Sequence, residues 1–184
     1  MGNLNSGLRR RYRLRHIVRV RAERAYSRAI PAKTFVFVMD HWQQHLVDDA
    51  DAISAILERV KRIAVLGIKP SSTGAPAFYV PEYAQRAGYE ILPVPVYYPE
   101  VTEILGVPVV RSLAALEGQV DMVNVFRRPA DIPPHADDIL AARPSVVWMQ
   151  SGIRHDAVAE RLAREGIDVV QDRCLLVELS RRGR

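Results

Sequence analysis

The chain of 184 residues contains one cysteine, Cys174. No intrachain disulfide can form, so the fold rests on packing and hydrogen bonding. That usage fits a reducing compartment, and a cytoplasmic protein is the expectation. Long apolar runs are missing as well. The run "TFVFVM" at 34–39 is far shorter than the roughly 18 residues of a membrane helix. There is no Walker loop and no G-x-S-x-G. The five histidines (16, 41, 45, 135 and 155) are scattered. His41 and His45 sit four apart without a further ligand, so no zinc site is expected. No catalytic residue and no metal ligand is nominated.

Acidic residues are scarce at the start. Residues 1–38 carry ten Lys/Arg against Glu23 alone, a net +9, whereas residues 39–184 carry 16 basic and 20 acidic residues, a net −4. The overall +5 therefore resides in the first segment, and the body offers no basic nucleic-acid footprint. The segment 1–38 reads as a basic extension, expected to be a solvated, disordered tail. It has the composition of an Arg-rich targeting peptide or of a basic arm. The reading favoured here is a start assigned too far upstream, with Met39 opening the natural chain. "MGNLNS" also fits the short myristoylation pattern at Gly2 and Ser6.

Residues 39–184 have the length and apolar content of one domain with a full core. Leu46, Val47, Ile53, Ile56, Leu57 and Val60 predict an amphipathic N-terminal helix over 45–60. "RIAVLG" (62–67) is a continuous apolar run, as in a strand covered on both faces. Helix is predicted over 78–89, with Pro81 in its first turn and Gly88 as its stop. Strands follow at 90–96, 120–126 and 144–150, with a fifth after Ile167. Helices are predicted over 131–143 and 155–166, the latter with Ala157, Val158, Leu162 and Ala163 on its buried face. This alternation predicts an α/β fold: Rossmann-like, doubly wound, a mainly parallel sheet of about five strands with helices on both faces. In such a sheet, ligands bind outside the carboxyl ends of the strands. The loops 67–76, 94–104, 126–134 and 150–156 should gather there.

Those loops carry the candidate site. "GIKPSSTGAP" has one glycine for a tight turn, Gly67, where a dinucleotide fingerprint would place further glycines at Lys69 and Ser72. Ile68 follows the turn, Lys69 supplies a charge, and Ser71, Ser72 and Thr73 supply hydroxyls before a helix start, which suits an anion. An ordinary capped polar loop fits the same residues. The second strand ends in Pro93, Val94, Pro95 and Val96, without the carboxylate that would hold an NAD ribose. Phe126, Arg127 and Arg128 leave the third strand into the crevice, where a guanidinium would pair with phosphate; one of the two arginines is expected to be merely solvated. Gln150, Ser151 and Gly152 form another polar turn. His155 and Asp156 read as first-turn helix residues.

With these pieces in order, the body resembles the small stand-alone CoA-binding proteins, single-domain versions of the CoA-binding domain of succinyl-CoA synthetase-type ligases. The resemblance runs from about Val60 to about Arg181. It is carried by "RIAVLGIKPSSTGAPAFYVPEYAQRAGYEILPV", "EILGVPVVRSLAAL", "VDMVNVFRRPADIP", "VVWMQSGI" and "GIDVVQDRCLLVEL". It implies a crevice for coenzyme A or acyl-CoA, with Gly67, Ile68, Lys69 and the Ser71–Thr73 hydroxyls near the phosphates. Pro95, Val96, Tyr97 and Phe126–Arg128 would line the path of the ligand, with Gln150 and Gly152 beside it. The family's "PVNP"-like piece is "PVPV" here, so Pro95 replaces an asparagine. Cys174, in "QDRC", would be a thiol near the crevice able to form a mixed disulfide with CoA, with Arg173 beside it. No histidine matches the phosphorylated one of the synthetases. The expectation is binding without catalysis, by the chain alone, as a homo-oligomer or with a protein partner. The alternatives are an NAD(P)-dependent oxidoreductase and a ligase subunit that needs a partner chain.

Overall fold

The structure, a computed structural model, describes residues 41–183. The expectations placed on residues 1–38 and on Met39 lie outside the described residues. Five strands form one parallel sheet: β1 (Arg62–Leu66), β2 (Glu90–Val94), β5 (Met122–Val125), β6 (Val146–Met149) and β7 (Asp168–Val170). A short antiparallel hairpin, β3 (Glu103–Ile104) and β4 (Val107–Pro108), lies between β2 and β5 in sequence. The helices are α1 (Ala50–Arg59), α2 (Pro76–Arg86), α3 (Ala136–Ala142), α4 (Asp156–Arg164) and α5 (Leu175–Arg181). None of the helices described is long and apolar enough to cross a membrane.

The sheet order is β2-β1-β5-β6-β7. From β1 the chain steps outward to β2, then returns past β1 to continue through β5, β6 and β7. The reversal leaves a switch point between β1 and β5, where open α/β sheets hold ligands. Alternate strand residues feed two cores. Ile63, Val65, Val146 and Trp148 face α1, α2 and α5, whereas Ala64, Leu66, Val147 and Met149 face α3 and α4. Each fully buried aliphatic side chain contributes about 1.5–3 kcal/mol. The fold is the Rossmann-like, doubly wound α/β sheet that the alternation of elements predicts.

Three local expectations are corrected. The helix read over 45–60 is a 3-10 turn (Trp42–His45) followed by α1. Between them the chain is pulled straight, because the Val47 N–H donates to the Val169 carbonyl at 2.9 Å. Asp49 then caps α1, its carboxylate accepting from the Asp51 and Ala52 amides, each at 3.0 Å. On α4 it is Ala159, not Ala157, that joins Val158, Leu162 and Ala163 in the core. Finally, α2 begins at Pro76, so Pro81 lies inside the helix rather than in its first turn. Pro81 cannot donate to the Ala77 carbonyl four residues back. The Lys69 N–H takes that acceptor at 3.2 Å, tying the loop after β1 to the helix.

Candidate functional site

At the exit of β1, Gly67 adopts φ +88°, a left-handed conformation that favours glycine. A Cβ there would stand 2.5 Å from the Phe126 carbonyl oxygen and 3.1 Å from Cδ of Arg127. The glycine is therefore required by the close approach of β5, not only by the turn. Its N–H donates to Val94 O and the Phe126 N–H donates to Leu66 O, each at 2.9 Å. Three strand exits are thereby locked together. Ile68 turns into the core and is buried.

A cavity of about 470 Å³ opens above β1, β5 and β6. Lys69, the start of α2, Phe126–Pro129, Gln150–Ile153 and Cys174 line it. No side chain caps α2, whose first residues border the cavity. Lys69, Arg127 and Arg128 give the lining three cations, and no carboxylate lines it.

The two arginines differ in exposure, and the exposed one is ion-paired rather than merely solvated. Arg128 is 81% exposed and its Nε donates to Asp131 Oδ2 at 2.8 Å. That hydrogen bond is the main reason the Asp131 carboxyl sits below the usual carboxylate range. Arg127 is only 11% exposed and lies 3.5 Å from the same carboxylate. Its guanidinium packs 5.1 Å from the centroid of the Tyr97 ring, and its buried Nε has no partner. His135 is held below its ordinary value of 6.5, first by burial and then by the charge on Arg127.

Gln150 is a buried hinge between β6 and α5. Its Nε2 donates to Asn124 Oδ1 at 2.8 Å, and its Oε1 accepts from the Leu175 N–H at 3.2 Å. Asn124 is fully buried in the middle of β5, and its Nδ2 is without a partner. Gly152 sits at φ +77° and donates its N–H to Asp172 Oδ1 at 2.6 Å. His155 is the N-cap of α4, its Nδ1 accepting from the Val158 N–H at 3.3 Å, which is a structural role. Among the described residues no group of His, Cys, Asp and Glu is arranged to hold a metal ion.

Of the residues predicted from sequence, Lys69, Phe126, Arg127, Arg128, Gln150, Gly152 and Cys174 come together on the cavity wall. Ser71, Ser72 and Thr73 form an exposed 3-10 turn outside that wall. The Thr73 hydroxyl is used within its own turn, donating to Pro70 O at 2.8 Å. Pro95 is buried, Val96 and Tyr97 are exposed, none of the three lines the cavity, and Tyr97 touches the site through Arg127. The Arg173 guanidinium, expected beside the thiol, is hydrogen-bonded to Asp48. Sequence reasoning missed Tyr79 and Val80 of α2, whose spacing from the helix start could have marked them. It also missed Asn124, although a lone amide inside the apolar run "VDMVNVF" is a signal of its own.

These features define an open, doubly wound α/β protein with a cationic crevice at its switch point. Residues 61–180 match the family model described as the CoA binding domain, and the chain belongs to that family. It is 39% identical over 127 residues to the uncharacterised protein YneT of Bacillus subtilis, covering 68% of this chain and 90% of that one. A solved structure from Thermus thermophilus superimposes with a TM-score of 0.67 at 42% identity, over 73% of this chain and 98% of its own. A hypothetical protein from Pyrococcus horikoshii OT3 does so with a TM-score of 0.67 at 25% identity, over 73% and 92%.

Proposed function

We propose that the protein binds coenzyme A, free or acylated, in the crevice at the carboxyl ends of its strands. The observation that carries this reading is the charge of the cavity wall. Lys69, Arg127 and Arg128 face a space bordered by an uncapped helix start, with no carboxylate among the lining residues. That composition selects a polyanion, because basic groups and helix amides both favour phosphate. The apolar remainder, including Tyr79, Val80 and Ile153, suits the uncharged arm of the same ligand. Membership in the family supports the choice of CoA over other phosphorylated ligands. Against a nicotinamide cofactor stands the exit of β2, where Val94, Pro95 and Val96 offer the ribose no carboxylate.

Calorimetric titration of the full chain against CoA, dephospho-CoA, NAD and ATP tests the proposal. CoA should bind most tightly, and NAD binding without CoA binding overturns it. Lys69→Ala and Arg127→Ala should each weaken CoA binding by about tenfold, the loss of one charge-assisted contact. Cys174, half-buried on the same wall, extends the reading. Its thiolate would attack CoA disulfide, forming a mixed disulfide and releasing one CoA thiolate that takes up the proton. Intact-mass measurement after incubation with CoA disulfide should show one CoA adduct, and Cys174→Ser should abolish it. An unmodified mass removes Cys174 from the site.

A further inference from the structure

We infer that the exposed face of Tyr97 is a preformed stacking platform for the purine base of the bound nucleotide, held in place by Arg111. The inference rests on the CoA reading and deepens it. Tyr97 is 55% exposed, an unusual position for a large aromatic ring that is nevertheless fixed from two sides. From below, the Arg127 guanidinium lies 5.1 Å from the ring centroid. Arg127 is itself confined, its side chain only 11% exposed and its Cδ passing close over Gly67. From the side, Arg111 staples the loop that carries the ring. Its guanidinium donates to the carbonyls of Tyr98 at 3.2 Å, of Pro99 at 3.1 Å, and of Val101. The Val101 N–H closes the same turn onto Tyr98 O at 3.1 Å, with Tyr98 at φ +67°.

One face of the ring is thus occupied by a cation and the other is open. Arg127 also lines the cationic cavity, so the platform and the phosphate wall share a residue. A ligand that joins a flat base to phosphates matches both surfaces at once. Aromatic rings accept any base face without a pattern of hydrogen bonds, and the guanidinium beneath adds to the stack. Preorganisation matters here because a loop that must be ordered on binding would lose much of the gain.

The test compares CoA, ADP and 4′-phosphopantetheine, which lacks the base, by calorimetry on the full chain and its variants. Tyr97→Ala should weaken CoA and ADP by about tenfold, at the low end of what one base–aromatic stack contributes. It should weaken 4′-phosphopantetheine far less, through the shared Arg127 alone, and Tyr97→Phe should retain wild-type affinities. Arg111→Ala should reproduce the selective loss for CoA and ADP, which general destabilisation would not. Equal weakening of all three probes, or no change in Tyr97→Ala while the wild type binds CoA, overturns the platform alone. ADP bound by the wild type and weakened in Tyr97→Ala, with no binding of CoA, keeps the platform and overturns the CoA reading. A wild type that binds none of the three overturns both.

Discussion

Gly67 holds strand exits together and Gln150 ties the exit of β6 to β5 and α5, and each gives a measurable prediction. Gly67→Ala places a methyl group 2.5 Å from the Phe126 carbonyl at a φ of +88°. It should cost on the order of 2 kcal/mol in urea unfolding and weaken CoA binding, because β5 must move. Gln150→Leu strips partners from the Leu175 N–H and from Asn124 Oδ1, and should destabilise by about 1–3 kcal/mol. His135 sets a pH dependence. Its folded-state value is depressed below 6.5, so the unfolded chain takes up the proton first. That contribution to stability is complete above pH 6.5 and is lost as pH falls toward the lower folded value. Melting temperature measured across that window should fall less in His135→Gln than in the wild type. Single residues were legible from sequence where chemistry is local: that one arginine of the Arg127–Arg128 pair would be solvated follows from charge at a strand end. Which one it would be was not legible, because Asp131 is within reach of both and the choice depends on the Tyr97 ring arriving from the loop after β2.

Between elements, the informative contact is the one from the loop after β1 to α2. Pro81 frees the Ala77 carbonyl, and the Lys69 N–H occupies it at 3.2 Å. Pro81→Ala would supply an N–H that competes for the same acceptor. Hydrogen exchange should then show reduced protection at the Lys69 amide, with α2 itself intact; unchanged protection would mean the loop is held by other contacts. The alternation of apolar runs with 3.6-residue periods made the five strands of the main sheet and α1 to α4 legible, but not α5 as a helix. Their starts were not, since the straightened chain before α1 is set by a hydrogen bond to Val169, more than a hundred residues away. The hairpin of β3 and β4 has two residues per strand, too few for any period to show.

For the whole molecule, the alternation of elements predicts a parallel, doubly wound sheet and hence a site at the carboxyl ends of the strands. It carries no information on strand order, so the switch point between β1 and β5 comes from the structure. The body is acidic overall while its cavity wall is basic, so the attraction for a polyanion is local. CoA affinity should therefore fall as ionic strength rises. The serine–threonine turn, which the resemblance assigns to the phosphates together with Lys69, lies outside the wall, whereas Lys69 and the start of α2 line it. Amide chemical-shift mapping during a CoA titration shows whether CoA occupies the space between Lys69, Phe126–Arg128 and Gln150–Gly152. Saturable shifts clustered at Gly67–Lys69, Ala77, Phe126–Arg128 and Ser151–Gly152 are expected. Shifts that do not saturate, or that cluster at the opposite end of the sheet around Arg143 and Gly166, would contradict that placement.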